Sequence, residues 1–185
     1  MIKSPNPQKD ASADALQAAD ELGYEARSAK GDHAALKLWL RMLACTTQVE
    51  SEIRRRLRVR FDTSLPRFDY LAQLYREPEG LRMKDLSSHL MVSGANVTAI
   101  TDELERDGLV VRSSSQTDRR SWILNMTPKG REQFEVMAKE HEQWVLELFG
   151  CLDAPTLAQM YRQLGGLRVH VLNSQTEALP PSTTD

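Results

Sequence analysis

Residues 104–130 read LERDGLVVRSSSQTDRRSWILNMTPKG, and this stretch decides the fold. Asp107-Gly108 closes a helix, because glycine takes the left-handed cap conformation without a side-chain penalty. The texture then turns strand-like: LVVRS is β-branched, SSQTDRR is a polar turn, and WILNM is apolar and extended. Two such runs around one turn predict a hairpin. Thr127-Pro128 caps the helix that follows. The hairpin is one-sided in charge. Residues 109–131 hold five Lys/Arg against a single acid, Asp118, and Arg119 and Arg120 fall at or just after its tip.

Upstream, Ser93 caps a helix whose apolar stripe is Val97, Ile100 and Leu104. A shorter helix precedes it, with Leu86 and Leu90 on its buried side, and Met91-Val92-Ser93 makes the tight turn between the two. Helix, tight turn, helix and hairpin is the order of a winged helix-turn-helix. Leu86, Leu90, Val92, Val97 and Ile100 supply the apolar crossing that the helix pair needs, and Ser87 is small enough for close backbones. The second helix must offer its amino-terminal end to a major groove about 12 Å wide. Ser93, Gly94, Ala95, Asn96, Thr98 and Ala99 lie on or near that end and are small or polar. Any helical hairpin in a bundle shows the same apolar spacing, so the basic hairpin carries the distinction. Arginine there enters the narrow, electronegative minor groove.

Outward again, Leu36, Trp39, Leu40, Leu43, Thr47, Glu50, Ile53 and Leu57 recur at helical spacing and predict a long first helix, about 34–60. FDTSLP ends it and starts a second helix, with Ser64 as cap and Pro66 in the first turn. That helix stops at Glu77-Pro78-Glu79-Gly80. A fifth helix runs from Thr127-Pro128 to about Phe149. A sixth starts at Asp153, with Leu157, Met160, Tyr161, Leu164, Leu167 and Val171 facing one way. Gly165-Gly166 inside it implies a close helix crossing or a kink. The expected organisation is an extension at 1–32, partly disordered, then one domain at 33–176 and a disordered tail at 177–185. Within the domain, 62–127 is the winged helix-turn-helix.

The 185 residues carry a net charge of −2, which seems to oppose nucleic acid until it is divided along the chain. Residues 33–131 hold seventeen Lys/Arg against twelve Asp/Glu, while the two ends hold seven against fourteen. Phosphate binding needs a local basic face, and the middle has one. No apolar run approaches the roughly 20 residues of a membrane span. The amino terminus lacks a secretory apolar segment, so a cytoplasmic protein without a membrane partner is expected. Cys45 and Cys151 form no ligand pair, and the four histidines lack zinc spacing, so neither a metal nor a cofactor is expected. No nucleophile–base pair, phosphate loop or carboxylate pair points to an enzyme.

The quoted stretch resembles the wing region of the MarR family. The marks are Leu104, Gly108-Leu109, Asp118-Arg119-Arg120 and Thr127-Pro128-Lys129-Gly130, and the likeness extends over about 34–175. It implies a mainly α fold with a small β-hairpin wing, dimerising through the first, fifth and sixth helices. It also implies double-stranded DNA as partner, read as a pseudo-palindromic operator by a homodimer. Asp118 would orient Arg120 into the minor groove, with Arg119 on phosphate. Family members often carry a basic residue just after the threonine that matches Thr98; here Ala99 stands there, which moves specificity onto Asn96, Thr98 and the wing.

Two sharper readings follow. EIRRRLRVRF holds five arginines from Arg54 to Arg60; it is either a solvated face with Glu50–Arg54 and Glu52–Arg56 pairs or a grip on phosphates or an anionic ligand. RMLACTTQVESEIRRRLRVRFDTSLPRFD resembles, more loosely, a branch that controls aromatic-acid catabolism. That likeness implies a repressor released by a small aromatic effector, an aromatic acid or its coenzyme A thioester, with Trp39, Arg41, Arg67 and Tyr70 as lining. The rival readings are a response to thiol oxidation or another small molecule, and a helical interaction module without DNA. An acidic or neutral wing would favour that last rival.

Overall fold

The computed structural model describes residues 34–90, 94–114 and 122–177. In chain order it has α1 (Ala34–Phe61), α2 (Leu65–Arg76), β1 (Leu81–Arg82), α3 (Met83–Leu90), α4 (Gly94–Arg106), β2 (Val110–Ser114), β3 (Trp122–Met126), α5 (Pro128–Leu148) and α6 (Ala154–Glu177). The six helices and the hairpin expected from the sequence are present in that order. The chain divides into two compact units, residues 1–139 and 140–185.

In the first unit, the apolar stripe of α1 is covered only toward its carboxyl end. Ile53 and Leu57 are buried, while Leu36, Trp39 and Leu43 on the same stripe are about half exposed. Its charged face pairs along the helix, Arg54 with Glu50 and both Arg55 and Arg56 with Glu52. Those two arginines hold the Glu52 carboxyl down to about 2. The chain reverses through Asp62, which takes φ 48°, a left-handed conformation that aspartate tolerates better than most residues. Ser64 then caps α2 by accepting from the Arg67 N–H at 3.4 Å.

One face of α2 supplies much of the core, with Phe68, Tyr70, Leu71 and Leu74 all buried. Phe68 and Tyr75 pack on Phe134 of α5 with ring centroids 5.4 and 5.0 Å apart, and the Arg131 guanidinium lies 4.9 Å over the Tyr75 ring. At the crossing of α3 and α4, Leu86 and Val97 are fully buried, whereas Leu90, Ile100 and Ser87 are half-buried. Val92 lies outside the described residues.

The sheet is antiparallel in the order β1-β3-β2. β1, two residues long, was not foreseen, because two residues carry no periodicity; Leu81 pairs with Leu124 and Arg82 with Ile123. Gly80 leads into it at φ 83°, where a Cβ would lie 2.4 Å from Asn125 Oδ1 and 2.7 Å from the Leu124 carbonyl oxygen. Only glycine fits. In the hairpin, Val110 faces Met126, Arg112 faces Leu124 and Ser114 faces Trp122. Val110 and Leu124 are buried, and with Met126 and Arg112 they form the inward face.

In the second unit, Asp153 caps α6 by accepting from the Thr156 N–H at 2.9 Å, and hydrogen bonds from the Thr156 hydroxyl and then its N–H lower the Asp153 carboxyl pKa. Helix α6 continues unbroken through Gly165-Gly166, where a Cβ would meet nothing within 4 Å. Among the described residues nothing crosses close to that pair. Every described side chain of α6 is exposed, including the stripe Leu157, Met160, Leu164, Leu167 and Val171.

Candidate nucleic-acid interface

Helix α4 is fixed by its inner face. Val97, Thr101 and Leu104, spaced i, i+4 and i+7, are completely buried. Thr101 is the polar member, and its hydroxyl donates to the Val97 carbonyl at 2.7 Å. With that proton committed, the Tyr70 hydroxyl donates to Thr101 Oγ1 at 2.7 Å. Burial pushes the Tyr70 phenol up to about 12. This anchoring turns Asn96, Thr98 and Ala99 outward, and all three are exposed. Gly94 and Ala95 begin the helix. Ser93, Asp118, Arg119 and Arg120 lie outside the described residues.

The carboxyl half of α4 is gripped by cations from three other elements. Arg112 of β2 pairs with Asp102 and, at 3.1 Å, with Glu105. Arg67 of α2 pairs with Asp107 and, at 3.6 Å, with Glu103. Lys129 Nζ of α5 donates to the Asp107 carbonyl at 2.8 Å. Cations belong at this end of a helix, where the carbonyls lack intrahelical donors. Between α4 and the wing lies a groove of about 630 Å³, lined by Met83, Thr98, Asp102, Glu105, Arg112 and Trp122, the last 54% exposed. The sequence reading missed Arg112. Its partners lie seven and ten residues away across a helix end and a turn, beyond the i,i+4 rules that sequence can apply.

The Thr-x-x-Gly motif has a direct physical reason. Thr127 Oγ1 donates to the Gly108 carbonyl at 2.8 Å and accepts from the Gly130 N–H at 3.0 Å, while the Thr127 N–H donates to the Leu109 carbonyl at 3.0 Å. A Cβ on Gly130 would stand 2.1 Å from the Leu109 carbonyl oxygen. The motif clips the start of the wing onto the first turn of α5.

The four expected effector-lining residues do not meet within one chain. Arg67 lies in a cleft of about 570 Å³ with Phe61, Thr63, Asp107, Lys129 and Gln133, and its Nε is buried without a hydrogen-bond partner. Tyr70, one turn along α2, belongs to the core, fully buried on Thr101. Trp39 and Arg41 stand 22 and 20 residues before Phe61 on α1, roughly 33 and 30 Å away at ~1.5 Å per residue. Trp39 is 57% exposed. Cys45 and Cys151 are both exposed thiols.

A family model described as the MarR family matches residues 63–122, from the last loop residues before α2 to the first residue of β3. The transcriptional activatory protein BadR of Rhodopseudomonas palustris is 42% identical over 60 residues, 32% of this chain and 34% of BadR. The chain thus aligns with about a third of that relative's length. A MarR family transcriptional regulator from Silicibacter pomeroyi superposes with a TM-score of 0.65 at 28% identity, over 78% of this chain and 99% of that one. Sco3205 of Streptomyces coelicolor, a MarR family regulator solved in complex with DNA, shares the fold at a TM-score of 0.66 and 21% identity, over 85% of this chain and 96% of its own. The buried anchor of α4 and the strands of the wing beside it fall within the matched residues, and residues 63–122 are a winged helix-turn-helix of the MarR family.

Proposed function

We propose that this protein is a ligand-responsive, DNA-binding regulator that acts as a homodimer on a pseudo-palindromic operator. The observation that carries the reading is α4. Its inner face is locked by Val97, Thr101 and Leu104, and its outer face presents Asn96, Thr98 and Ala99 beside the hairpin. Sco3205, with the same fold, is a regulator solved on DNA. The exposed apolar stripes of α1 and α6 support the dimer, since large apolar patches on a soluble chain mark interaction surfaces.

The finer reading is a repressor of aromatic-compound catabolism genes, released by an aromatic acid or its coenzyme A thioester. The Arg67 cleft supports an anionic effector, because Arg67 and Lys129 face it and Arg67 Nε has an unused donor. Trp39 and Arg41 would join that cleft only from a second copy.

Selection of duplexes from a randomised pool, followed by salt-titrated binding, tests the DNA reading. Arg120→Ala should weaken the selected duplex strongly. Arg119→Ala should flatten the salt dependence by about one phosphate. If both variants bind as the parent does, the wing assignment is wrong. Calorimetry against aromatic acids and their thioesters tests the effector. A binder should lower DNA affinity ten- to a hundredfold, on the order of 1.4 to 2.8 kcal/mol of coupling, and Arg67→Gln should abolish that response. If none binds below millimolar concentration, the effector reading fails and the DNA reading stands.

A further inference from the structure

The wing can read DNA together with α4 only if the two are held at a set spacing. Along the inward face of the hairpin, Val110 and Leu124 are buried apolar residues, which attach the wing root to the core. Directly across from Leu124, and two residues past Val110, stands Arg112, with its side chain 25% exposed. One guanidinium nitrogen, Nη2, bonds Asp102, and the other, Nη1, reaches Glu105 at 3.1 Å. These two carboxylates stand three residues apart on one face of α4. The Arg112 backbone N–H also donates to Glu105 Oε1 at 3.4 Å. A planar fork held at two corners by two carboxylates of one helix is fixed in orientation as well as in distance. Partial burial shields it from salt.

We propose that Arg112 is a positioning residue for DNA recognition: by joining β2 to α4 through Asp102 and Glu105, it sets the separation at which recognition helix and wing engage one duplex together. This rests on the DNA-binding reading above. Mismatched spacing costs only the complex in which both elements must fit, so the strut governs specific binding and leaves non-specific binding alone.

The test uses the full-length chain, a duplex selected by it from a randomised pool, and a random-sequence duplex of equal length. Arg112→Lys keeps the charge and loses the fork. It should weaken the selected duplex on the order of tenfold, within the usual range of coupled pairs, with unchanged affinity for the random duplex and an unchanged salt slope. Asp102→Asn removes a negative charge near the DNA yet should weaken selected binding in the same way. The double variant should lose no more than either single one. Circular dichroism melts of all three confirm folding.

A direct phosphate contact predicts the opposite pattern: Lys replaces Arg without loss, Asp102→Asn binds tighter, and Arg112→Ala flattens the salt slope by about one. That pattern overturns the proposal, as do additive losses in the double variant. If the parent chain selects no sequence, the regulator reading itself falls, a failure visible before any variant is made.

Discussion

At the scale of single residues, the Tyr70–Thr101 pair shows how a polar contact can serve a core. Both residues are completely buried, and each hydroxyl is satisfied by a directed bond, so neither bears the penalty of an orphaned polar group. Tyr70→Phe should destabilise the chain by about 1 kcal/mol at neutral pH, the net worth of one hydrogen bond. The sign changes in alkali. The Tyr70 phenol is raised from 10.0 to about 12 in the fold, so its contribution is complete below the unfolded value of 10.0 and is lost as pH rises through about 12. Urea titrations from pH 8 to 12 should show the variant's deficit shrinking and then reversing. A deficit that stays constant through pH 12 would show that the phenol does not titrate with this linkage. From sequence, an aromatic three residues after Arg67 reads equally well as ligand wall or as core. Only the Thr101 hydroxyl, 31 residues away, decides it.

At the scale of elements, the wing is held to the body from both ends of α4's neighbourhood. Residues 107–109 dock on the first turn of α5 through Thr127 and Gly130, and Arg112 ties β2 back to α4. The Thr127–Gly130 clip was legible as a family mark, and its reason is steric: the Leu109 carbonyl occupies the place of a Gly130 side chain. Gly130→Ala should therefore cost about 3 kcal/mol, the upper part of the range for overpacking. Thr127→Ala should cost about 1 kcal/mol as an ordinary lost cap. Denaturant midpoints in which the glycine variant is the milder of the two would refute the steric account. The third strand was not legible. β1 exists because Gly80 allows the backbone close to β3, and that approach is a property of the partner strand.

At the scale of the whole molecule, the unit of residues 1–139 has a core running from Leu57 through Leu86 to Leu124, whereas α6 exposes every described side chain. On the homodimer reading, truncation before Leu157 should remove the stripe of α6 from the interface, leave that of α1 uncovered, and cause aggregation or unfolding. Sedimentation that finds a well-folded monomer, intact or truncated, would contradict the dimer. The amino-acid sequence by itself determined the six helices, the hairpin, the cap at Ser64, the start of α6 at Asp153, and the outward Asn96, Thr98 and Ala99 of α4. All of these follow from periodicity and local chemistry within about one helical turn. Tertiary structure alone decided that Tyr70 is core, that Trp39 and Arg41 stand far along α1 from Arg67, and that Arg112 bridges to α4. Each depends on groups far apart in the chain meeting in space, and nothing in residue spacing encodes that distance.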